Sequence, residues 1–321
     1  MKISVVIPEY GCREAIFELN RRLEETLNSL GTEFEIIYVE DRDPQNSWED
    51  IKVLCEKDPH VRGIHFTRNF GQECAIMAGL TASTGDYVVV MDCDLQDPPE
   101  GIKDLYEKVR EGYDIVYSRR RNRRDSFLTK LSSRMFYAFY NLMTDEEYDP
   151  LIGNFSIASR RAVDSCLSMN EKNRGYIMFL RWLGYPSAVI DLEAQERAAG
   201  KSGYNLVKEI RHAVQEISSQ SNKPLTIAIY VGSLFSLVSL IMIIYLLIRH
   251  FFDGSVPEGW ISLMISIYLV GGIILMVLGI HGIYVGNIFT EVKNRPMYVI
   301  EEVVSKVYEK PGLRTPGKTH Q

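Results

Sequence analysis

The feature that most constrains this sequence is an apolar run that ends abruptly in acidic residues. Residues 87–91 are all large and apolar, and Asp92, Asp94 and Asp97 follow within the next six positions. A glycine precedes the run and paired prolines follow it. This pattern predicts a strand that is buried on both faces, as in the interior of a mostly parallel sheet. Because ligands bind at the carboxyl ends of strands in open α/β sheets, we expect a functional site at these aspartates.

The first two aspartates have the spacing of a metal site. Asp92 and Asp94 are two residues apart, so in an extended chain their carboxylates point to the same side. Two negative charges so close repel each other unless a cation lies between them. Carboxylate oxygens suit Mg²⁺ or Mn²⁺, and proteins commonly hold Mg²⁺ with one or two carboxylates together with substrate phosphates. The sequence therefore predicts a divalent metal here, with a solvated acidic turn as the alternative.

Two long apolar stretches lie in the second half of the chain. The protein has 321 residues, of which 46% are hydrophobic, and the excess is concentrated at residues 225–248 and 261–288. Each stretch exceeds the roughly 20 apolar residues that cross a bilayer, so we expect two transmembrane helices. Lysines and arginines flank the pair on its terminal sides, which places both termini in the cytoplasm. No signal peptide precedes the first strand, so the catalytic part is also expected there.

The remaining chain alternates strands and helices. Strands are predicted at residues 3–7, 34–39, 61–66, 87–91 and 114–117, with amphipathic helices between them. This order predicts an α/β fold with a mostly parallel central sheet. The expected organisation is a catalytic domain at 1–202, a juxtamembrane amphipathic helix at 203–224, two membrane helices joined by a short extracytoplasmic loop at 225–288, and a cytoplasmic tail at 289–321.

Two common nucleotide-binding motifs are absent, and the composition excludes one class of partner. The first strand is followed by Pro-Glu-Tyr-Gly-Cys at 8–12, which excludes the Gly-x-Gly-x-x-Gly of a dinucleotide fold. Gly200-Lys201-Ser202 does not complete a P-loop, because Gln195 stands where its first glycine should be. A net charge of −6 argues against nucleic acid. The five cysteines are irregularly spaced, so we expect neither a metal site nor a disulfide framework, as suits a reducing compartment.

Several short motifs carry a resemblance that spans nearly the whole chain. They are Ile-Pro-Glu-Tyr at 7–10, Glu40-Asp41, Arg-Asn-Phe-Gly-Gln at 68–72, Met-Asp-Cys-Asp-Leu-Gln-Asp at 91–97, Gly-Asn-Phe at 153–155, and Arg-x-x-Gly-Lys-Ser-x-Tyr at 197–204. Together they resemble the family-2 glycosyltransferases of the GT-A fold. The similarity is greatest to the bacterial polyprenyl-phosphate glycosyltransferases and their dolichyl-phosphate mannose synthase relatives, which also have membrane helices after the catalytic domain.

The resemblance implies an activity. Such enzymes transfer a sugar from a nucleotide sugar, here UDP-linked in preference to GDP-linked, to a polyprenyl phosphate such as undecaprenyl phosphate, with inversion and with Mg²⁺ or Mn²⁺. It implies a multi-pass protein of the bacterial cytoplasmic membrane, in contact with lipids, and a homo-oligomer such as a tetramer. Of the site residues, it implies that Pro8, Glu9, Tyr10, Asp41 and Asp92 bind the nucleotide and that Asp92, Asp94 and Gln96 bind the metal. The candidate catalytic residues are Asp94, Arg119, Arg123 and Asn154.

Basic residues supply candidate phosphate ligands. Arg119, Arg120, Arg123 and Arg124 follow the fifth predicted strand, and arginine binds phosphate oxygens through two parallel hydrogen bonds. We expect this cluster to hold the acceptor phosphate, with contact to anionic lipid headgroups as the alternative. Further candidates for the acceptor or diphosphate are Arg197, Lys201 and Ser202. The apolar face of residues 127–143 suits either a helix at the bilayer surface or a core-facing helix.

Departures from the family pattern leave other functions open. Asn154 stands where related enzymes often have aspartate, and asparagine cannot act as a base. Arg42 and Asp43 replace the small residues that usually follow the acid after the second strand, which bears on base recognition. A processive polysaccharide synthase would share the Asp-x-Asp motif, and Arg181-Trp182 is present, but Met178 occupies its glutamine position. A non-catalytic membrane module that binds a nucleotide sugar is the other alternative.

Overall fold

The computed structural model describes residues 1–121, 149, 151–169, 171, 175–193, 218, 221, 223–253 and 259–306. These residues form two compact units. The first contains the described residues of 1–125, 149–202 and 295–321, and the second contains those of 126–148 and 203–294. The first unit carries the sheet, and the second carries two long helices.

The first unit is built on an eight-stranded sheet in the order β7-β5-β6-β4-β1-β2-β3-β8. Among the described strands, all except β6 and β8 run in one direction, so the predicted mostly parallel sheet is confirmed. The strands are β1 Lys2–Glu9, β2 Glu33–Glu40, β3 Val61–Phe66, β4 Tyr87–Val90, β5 Ile115–Arg121, β6 Ile152–Ser159, β7 Ser187–Glu193 and β8 Ile300–Ser305.

Helices cover both faces of the sheet because each has apolar residues to bury. The helices are α1 Ile16–Ser29, α2 Trp48–Lys57, α3 Gln72–Ala82, α4 Ile102–Arg110, α5 Arg160–Ser168 and α6 Tyr176–Trp182. Apolar residues of α1, α2 and α4 pack into one core, and those of α3, α5 and α6 pack into a second core on the opposite face. The central strands are buried from both sides, as the apolar run at 87–91 predicts.

Close packing of α3 on the sheet depends on a glycine. A Cβ atom built at Gly79 would collide with the side chain of Val6 on β1. Its absence lets α3 lie directly against the sheet, so that the start of the helix comes to the edge where β1, β2 and β4 end. The predicted strands and helices of residues 1–117 are confirmed, with shifts of one or two residues at their ends and an extension of β5 to Arg121.

The last strand was not predicted from the sequence. β8 was assigned to a cytoplasmic tail, but it pairs antiparallel with β3 at the edge of the sheet. Its sequence, Ile-Glu-Glu-Val-Val-Ser, is short and only partly apolar, so its strand character comes from the ladder that β3 offers. The segment that follows the long helices is therefore part of the first unit, which carries the sheet.

The second unit contains the helices α7 Lys223–Asp253 and α8 Trp260–Val292. Each includes one of the two predicted membrane spans. Among the described residues, one stretch, Leu269–Val292, is long and apolar enough to cross a membrane, with a mean hydropathy of 2.1. None of the residues of that apolar stretch is buried within the protein. The pair of spans remains a prediction, and residues 127–143 and 203–217 lie outside the described residues.

Candidate active site

A cleft of about 900 Å³ opens at the carboxyl edge of the sheet, where β1, β2 and β4 end. It lies where ligands bind in open α/β sheets. Most of the sequence-predicted donor and metal residues meet there, although they come from three strands far apart in the chain. The cleft is lined by Pro8, Glu9, Tyr10, Gly11, Cys12, Asp41, Asp43, Pro44, Gln45, Asn69, Gly71, Gln72, Ala75, Asp92, Cys93 and Asp94.

The acidic motif forms a tight turn at the end of β4. Leu95, directly after Asp94, has a φ of 60°, in the left-handed region that non-glycine residues rarely adopt. The N–H of Gln96 donates to Oδ1 of Asp94 at 3.1 Å, which orients that carboxylate within the turn. The turn therefore presents Asp92 and Asp94 together on the cleft wall.

Two amides from separate elements lie near Asp92. Nε2 of Gln72, the first residue of α3, donates to its Oδ1 at 2.7 Å. The side chain of Asn154 on β6 lies close enough to this carboxylate to lower its pKa. Asn154 is thus near Asp92, where it cannot act as a base. Sequence reasoning assigned no role to Gln72, although it ends one of the motifs that carry the resemblance.

Arg120 on β5 joins the acidic turn. Its Nε and Nη2 donate to the two carboxylate oxygens of Asp97 at 2.9 and 2.6 Å. Nη2 also lies 3.5 Å from Oδ2 of Asp92. Because the Asp97 side chain is only 3% exposed, the ion pair holds the guanidinium in one place. Two aspartates of the motif, Asp92 and Asp97, thus share one permanent cation.

The surroundings of Asp92 favour its neutral form. Burial raises the pKa of Asp92 to about 6, the nearby Asp97 carboxylate adds to this, and the Arg120 guanidinium opposes it. A raised pKa of this origin is a common property of functional carboxylates. A divalent cation bound beside Asp92 would favour the charged form, so metal binding and proton release are expected to be linked.

Asp41 holds a neighbouring loop in place. Its two carboxylate oxygens accept the N–H groups of Phe70 and Gly71 at 2.6 and 2.7 Å. These bonds fix the loop between β3 and α3, which also presents Asn69 and Gln72 to the cleft. Asp41 therefore shapes the cleft wall, and each of its oxygens keeps a second lone pair for a ligand.

Two further acids line the same wall. Oδ1 of Asp43 accepts the N–H of Gly11 at 3.1 Å, while its buried Oδ2 has no hydrogen-bond partner among the described residues. Glu9 accepts the hydroxyl of Ser47 and, at 3.2 Å, the N–H of Cys12. Burial raises the pKa of Glu9 to about 7, so this group is partly protonated near neutral pH. The wall is strongly acidic, which disfavours an anionic ligand that arrives without a cation.

The structure corrects the expectation for the cysteines. Cys12 and Cys93 form a disulfide, with their Cα atoms 6.0 Å apart, although they are separated by 81 positions in the sequence. The reason is topological: they follow β1 and β4, which are neighbouring parallel strands that end at the same edge. Irregular spacing along the chain carries no information about such a contact. The other cysteines, Cys55, Cys74 and Cys166, are not part of a disulfide.

The arginine cluster is divided between different environments. Arg119 and Arg120 are adjacent on β5, and successive strand residues point to opposite faces. The side chain of Arg119 therefore points away from the acidic turn and pairs with Asp191 on β7 at 2.6 Å. The other predicted phosphate ligands lie outside the described residues, namely Arg123, Arg124, Arg197, Lys201 and Ser202.

The donor set fits a metal that a substrate helps to hold. Among the described residues there is no group of three or more histidine, cysteine or acidic side chains arranged to hold an ion. Asp92 and Asp94 supply two carboxylates, and Gln96 in the same turn supplies an amide oxygen 3.5 Å from Nη1 of Arg120. Oxygen ligands in this number suit Mg²⁺ or Mn²⁺ when phosphates complete the coordination.

The fold and the acid-lined cleft suit a glycosyltransferase, and comparison with known proteins identifies the family. Residues 4–167 match the glycosyl transferase family 2 model. The chain therefore belongs to glycosyl transferase family 2, and it is a glycosyltransferase with a GT-A-like α/β fold. This confirms the resemblance to family-2 glycosyltransferases found in the sequence.

Similar proteins cover almost the full length of this chain. The prophage-derived bactoprenol glucosyl transferase of Shigella flexneri is 34% identical over 303 residues, which is 94% of this chain and 98% of that protein. An uncharacterised glycosyltransferase of Bacillus subtilis is 34% identical over 94% of each chain. Among solved structures, glucosyl-3-phosphoglycerate synthase from Mycobacterium tuberculosis, in complex with Mn²⁺ and UDP-glucose, is 20% identical with a TM-score of 0.48, covering 68% of this chain and 77% of that one.

Proposed function

We propose that this enzyme transfers a sugar from a nucleotide sugar to the phosphate of a membrane polyprenol, with inversion at the anomeric carbon. The observation that carries the proposal is the similarity, over 94% of the chain, to proteins named bactoprenol glucosyl transferases. Because that similarity extends beyond the catalytic unit, it includes the long helices α7 and α8. The acid-lined cleft at the sheet edge supports the same reaction class.

The donor nucleotide is assigned to the wall formed by the ends of β1 and β2. The ring of Tyr10 is 52% exposed at the cleft, so it offers a flat surface on which a base can stack. Pro8 and Glu9 precede it, and Asp41 lies on the same wall. The diphosphate would then extend toward Asp92 at the end of β4. A uracil base is preferred over guanine on family resemblance alone.

Asp92 and Asp94, with Gln96, would hold Mg²⁺ or Mn²⁺ against the donor diphosphate. Such an ion stabilises the negative charge on the leaving diphosphate. The chain's own part is to keep both carboxylates facing the cleft, through Gln72 on Asp92 and the backbone turn on Asp94. Arg120 supplies a further positive charge beside this site.

The acceptor needs positioning more than deprotonation. A phosphate monoester has a second pKa of about 6, so it is already a nucleophilic dianion near neutral pH. Asn154 is therefore compatible with catalysis although it cannot take up a proton. Arg123 is proposed to hold the acceptor phosphate in line with the anomeric carbon, whereas Arg119, which pairs with Asp191, is left out of this proposal. Supporting contacts are proposed from Arg120, Arg124, Arg197, Lys201 and Ser202.

The proposed reaction is tested with the full chain in detergent. The purified protein is incubated with undecaprenyl phosphate and, separately, UDP-linked and GDP-linked sugars, and the lipid products are identified by mass spectrometry. We expect one hexose added per carrier, with a UDP-linked donor preferred and no product after EDTA. Chains of several sugars would indicate a processive synthase instead, and absence of any lipid-linked product with every donor would refute the acceptor.

We also propose that α7 and α8 cross the bacterial cytoplasmic membrane as a hairpin, with the catalytic unit and both termini inside. Positive charge flanks the helices on their terminal sides, which supports this orientation. In intact cells, an impermeant thiol reagent should label Ser255→Cys but not Thr319→Cys, two positions outside the described residues. The native cysteines should stay unlabelled and serve as the internal control. Labelling at 319 alone would invert the topology.

A further inference from the structure

β8, the strand that follows the long helices, is connected to the wall of the donor cleft through β3 and β2. β8 pairs with β3 from Arg62 opposite Ser305 to Phe66 opposite Ile300. The N–H of Thr67 donates to the carbonyl of Val299 at 3.1 Å and extends this contact past the end of β3. β3 in turn pairs with β2, whose last residue begins the segment Glu40–Asn46. Asp41, Asp43, Pro44 and Gln45 of this segment line the cleft.

A chain of polar contacts joins β8 to that segment. Nη1 of Arg42 donates to Oε2 of Glu301 on β8 at 2.7 Å, and it lies 2.8 Å from Nε2 of His65 on β3. The Nδ1 atom of His65 contacts Oε2 of Glu40. Because an arginine can only donate, Nε2 of His65 is the acceptor and its proton sits on Nδ1, facing Glu40. Each group in the series thus orients the next.

The series ends on the backbone of the cleft wall. Oε1 of Glu40 accepts the N–H of Asp43, which closes the turn that presents Asp43 to the cleft. Arg42 and Asn46 have φ values of 56° and 60°, so this short segment contains two non-glycine residues in the left-handed region. Such conformations persist only where surrounding contacts hold them.

The side-chain contacts of Arg42 give a structural reason for its departure from the family pattern. Asp41 and Asp43, on either side of it, line the cleft, whereas Arg42 is absent from the cleft lining and contacts β3 and β8. A small residue at this position could not reach Glu301. Arg42 therefore connects this segment to Glu301 on β8 and lies outside the cleft lining.

A second contact fixes the far end of the segment. Nε1 of Trp48, the first residue of α2, donates to Oε2 of Glu302 at 2.9 Å. The indole ring stacks on His65 with 4.9 Å between ring centroids. The cleft segment is thus held on both sides by consecutive glutamates of β8.

We propose that Glu301 is a positioning residue for the nucleotide-sugar donor: through Arg42, His65 and Glu40 it maintains the conformation of the segment Glu40–Asn46 that walls the donor cleft. The proposal rests on the proposed function, because it takes the nucleotide to bind at this wall. Its consequence is that donor binding depends on a strand encoded after the long helices. Removing the contact should loosen the wall and leave the acidic turn at Asp92 unchanged.

The test compares Glu301→Gln with wild type in the full chain in detergent. Gln is similar in size but loses the charge that orients Arg42. We expect KM for the nucleotide sugar and Kd for the free nucleotide to rise about two- to fivefold, as suits a half-exposed ion pair. At saturating donor, kcat and the KM for the polyprenyl phosphate should not change. A general loss of structure would not raise the donor KM while leaving the acceptor KM and kcat unchanged.

Controls separate the network from an ordinary surface ion pair. Glu111→Gln removes a similarly exposed glutamate that pairs with Lys108 at 2.6 Å on another element, and its donor KM should equal that of wild type. Glu301→Asp should retain part of the donor affinity. Arg42→Ala should raise the donor KM to a similar extent as Glu301→Gln, and the double variant should add little, because both break one series.

Hydrogen exchange provides a readout that does not depend on the donor. In Glu301→Gln, the amide of Asp43 should exchange faster than in wild type, while that of Gln96 in the acidic turn should not. Unchanged exchange at Asp43, or a donor KM equal to that of Glu111→Gln, would overturn the positioning role. If the amide of Asp43 exchanges faster in Glu301→Gln but the wild-type protein binds no nucleotide, the proposed donor site is refuted. The structural role of Glu301 in holding the segment Glu40–Asn46 is then still supported.

Discussion

Asp94→Asn is expected to lower turnover by about a hundredfold or more, because it removes one of only two carboxylates that the described acidic turn offers to a divalent metal. Asn keeps the size of Asp, and its amide oxygen can still accept the N–H of Gln96 that holds this side chain in the turn. The fold should therefore survive, with the thermal midpoint close to that of wild type.

The measurement combines kinetics with metal binding. Steady-state rates over a range of Mn²⁺ concentrations should show that added metal restores only part of the Asp94→Asn activity. Calorimetry in the presence of nucleotide should show weakened metal binding. Asp104→Asn, a change at an exposed position on α4, serves as the control and should behave like wild type. Full activity of the wild-type enzyme in EDTA would contradict the metal role altogether.

Arg120→Ala is expected to damage both stability and activity. It leaves the Asp97 carboxylate, which is 3% exposed, without its bidentate partner, and an unpaired buried charge of this kind costs about 3 kcal/mol of unfolding free energy. It also removes the positive charge beside Asp92, which should raise the pKa of that carboxyl further and hinder metal binding at low pH. Turnover should fall by about a hundredfold.

A second substitution separates the two effects. In Arg120→Ala/Asp97→Asn the buried charge is gone, so denaturant unfolding should show most of the lost stability restored, whereas activity should remain low. Arg161→Ala is the matched control, since Arg161 also forms two hydrogen bonds with a buried aspartate, Asp114, on an element outside the cleft. It should lose stability without losing kcat among the folded molecules. A double variant with wild-type turnover would remove Arg120 from the site.

Arg120→Lys adds information about geometry. Lys keeps the positive charge but cannot form the planar two-point contact that Arg120 makes with Asp97. We expect intermediate stability and a turnover well below that of wild type. If Lys replaced Arg120 without loss, charge alone would account for its role.

The sequence by itself determined the parts of this protein that depend on local pattern. Apolar runs bounded by turn residues located the central strands, because a strand buried on both faces must be apolar throughout. Apolar residues at helical spacing located α1, since this helix buries one stripe. The Asp-x-Asp motif could be assigned to a ligand edge because the strand before it was identifiable. The family followed from short motifs that the comparisons then confirmed.

The tertiary structure alone decided which side chains meet across the fold. Arg119 and Arg120 are equivalent in the sequence, yet the pleat of β5 directs one to Asp191 and the other to Asp97. Cys12 and Cys93 are brought together by the pairing of β1 with β4. No periodicity marks such contacts, because they depend on strand order and register.

The return of β8 to the sheet is the clearest case. Its six residues have too little apolar content to be recognised as a strand, and they follow a long apolar helix after which a free tail is the natural expectation. These residues form a strand because they pair with the edge of β3. The register of that pairing places Glu301 beside Arg42. The sequence thus specified the elements of the donor cleft, whereas the contacts that hold its wall in place depend on pairing between distant parts of the chain, and such pairing leaves no local signal.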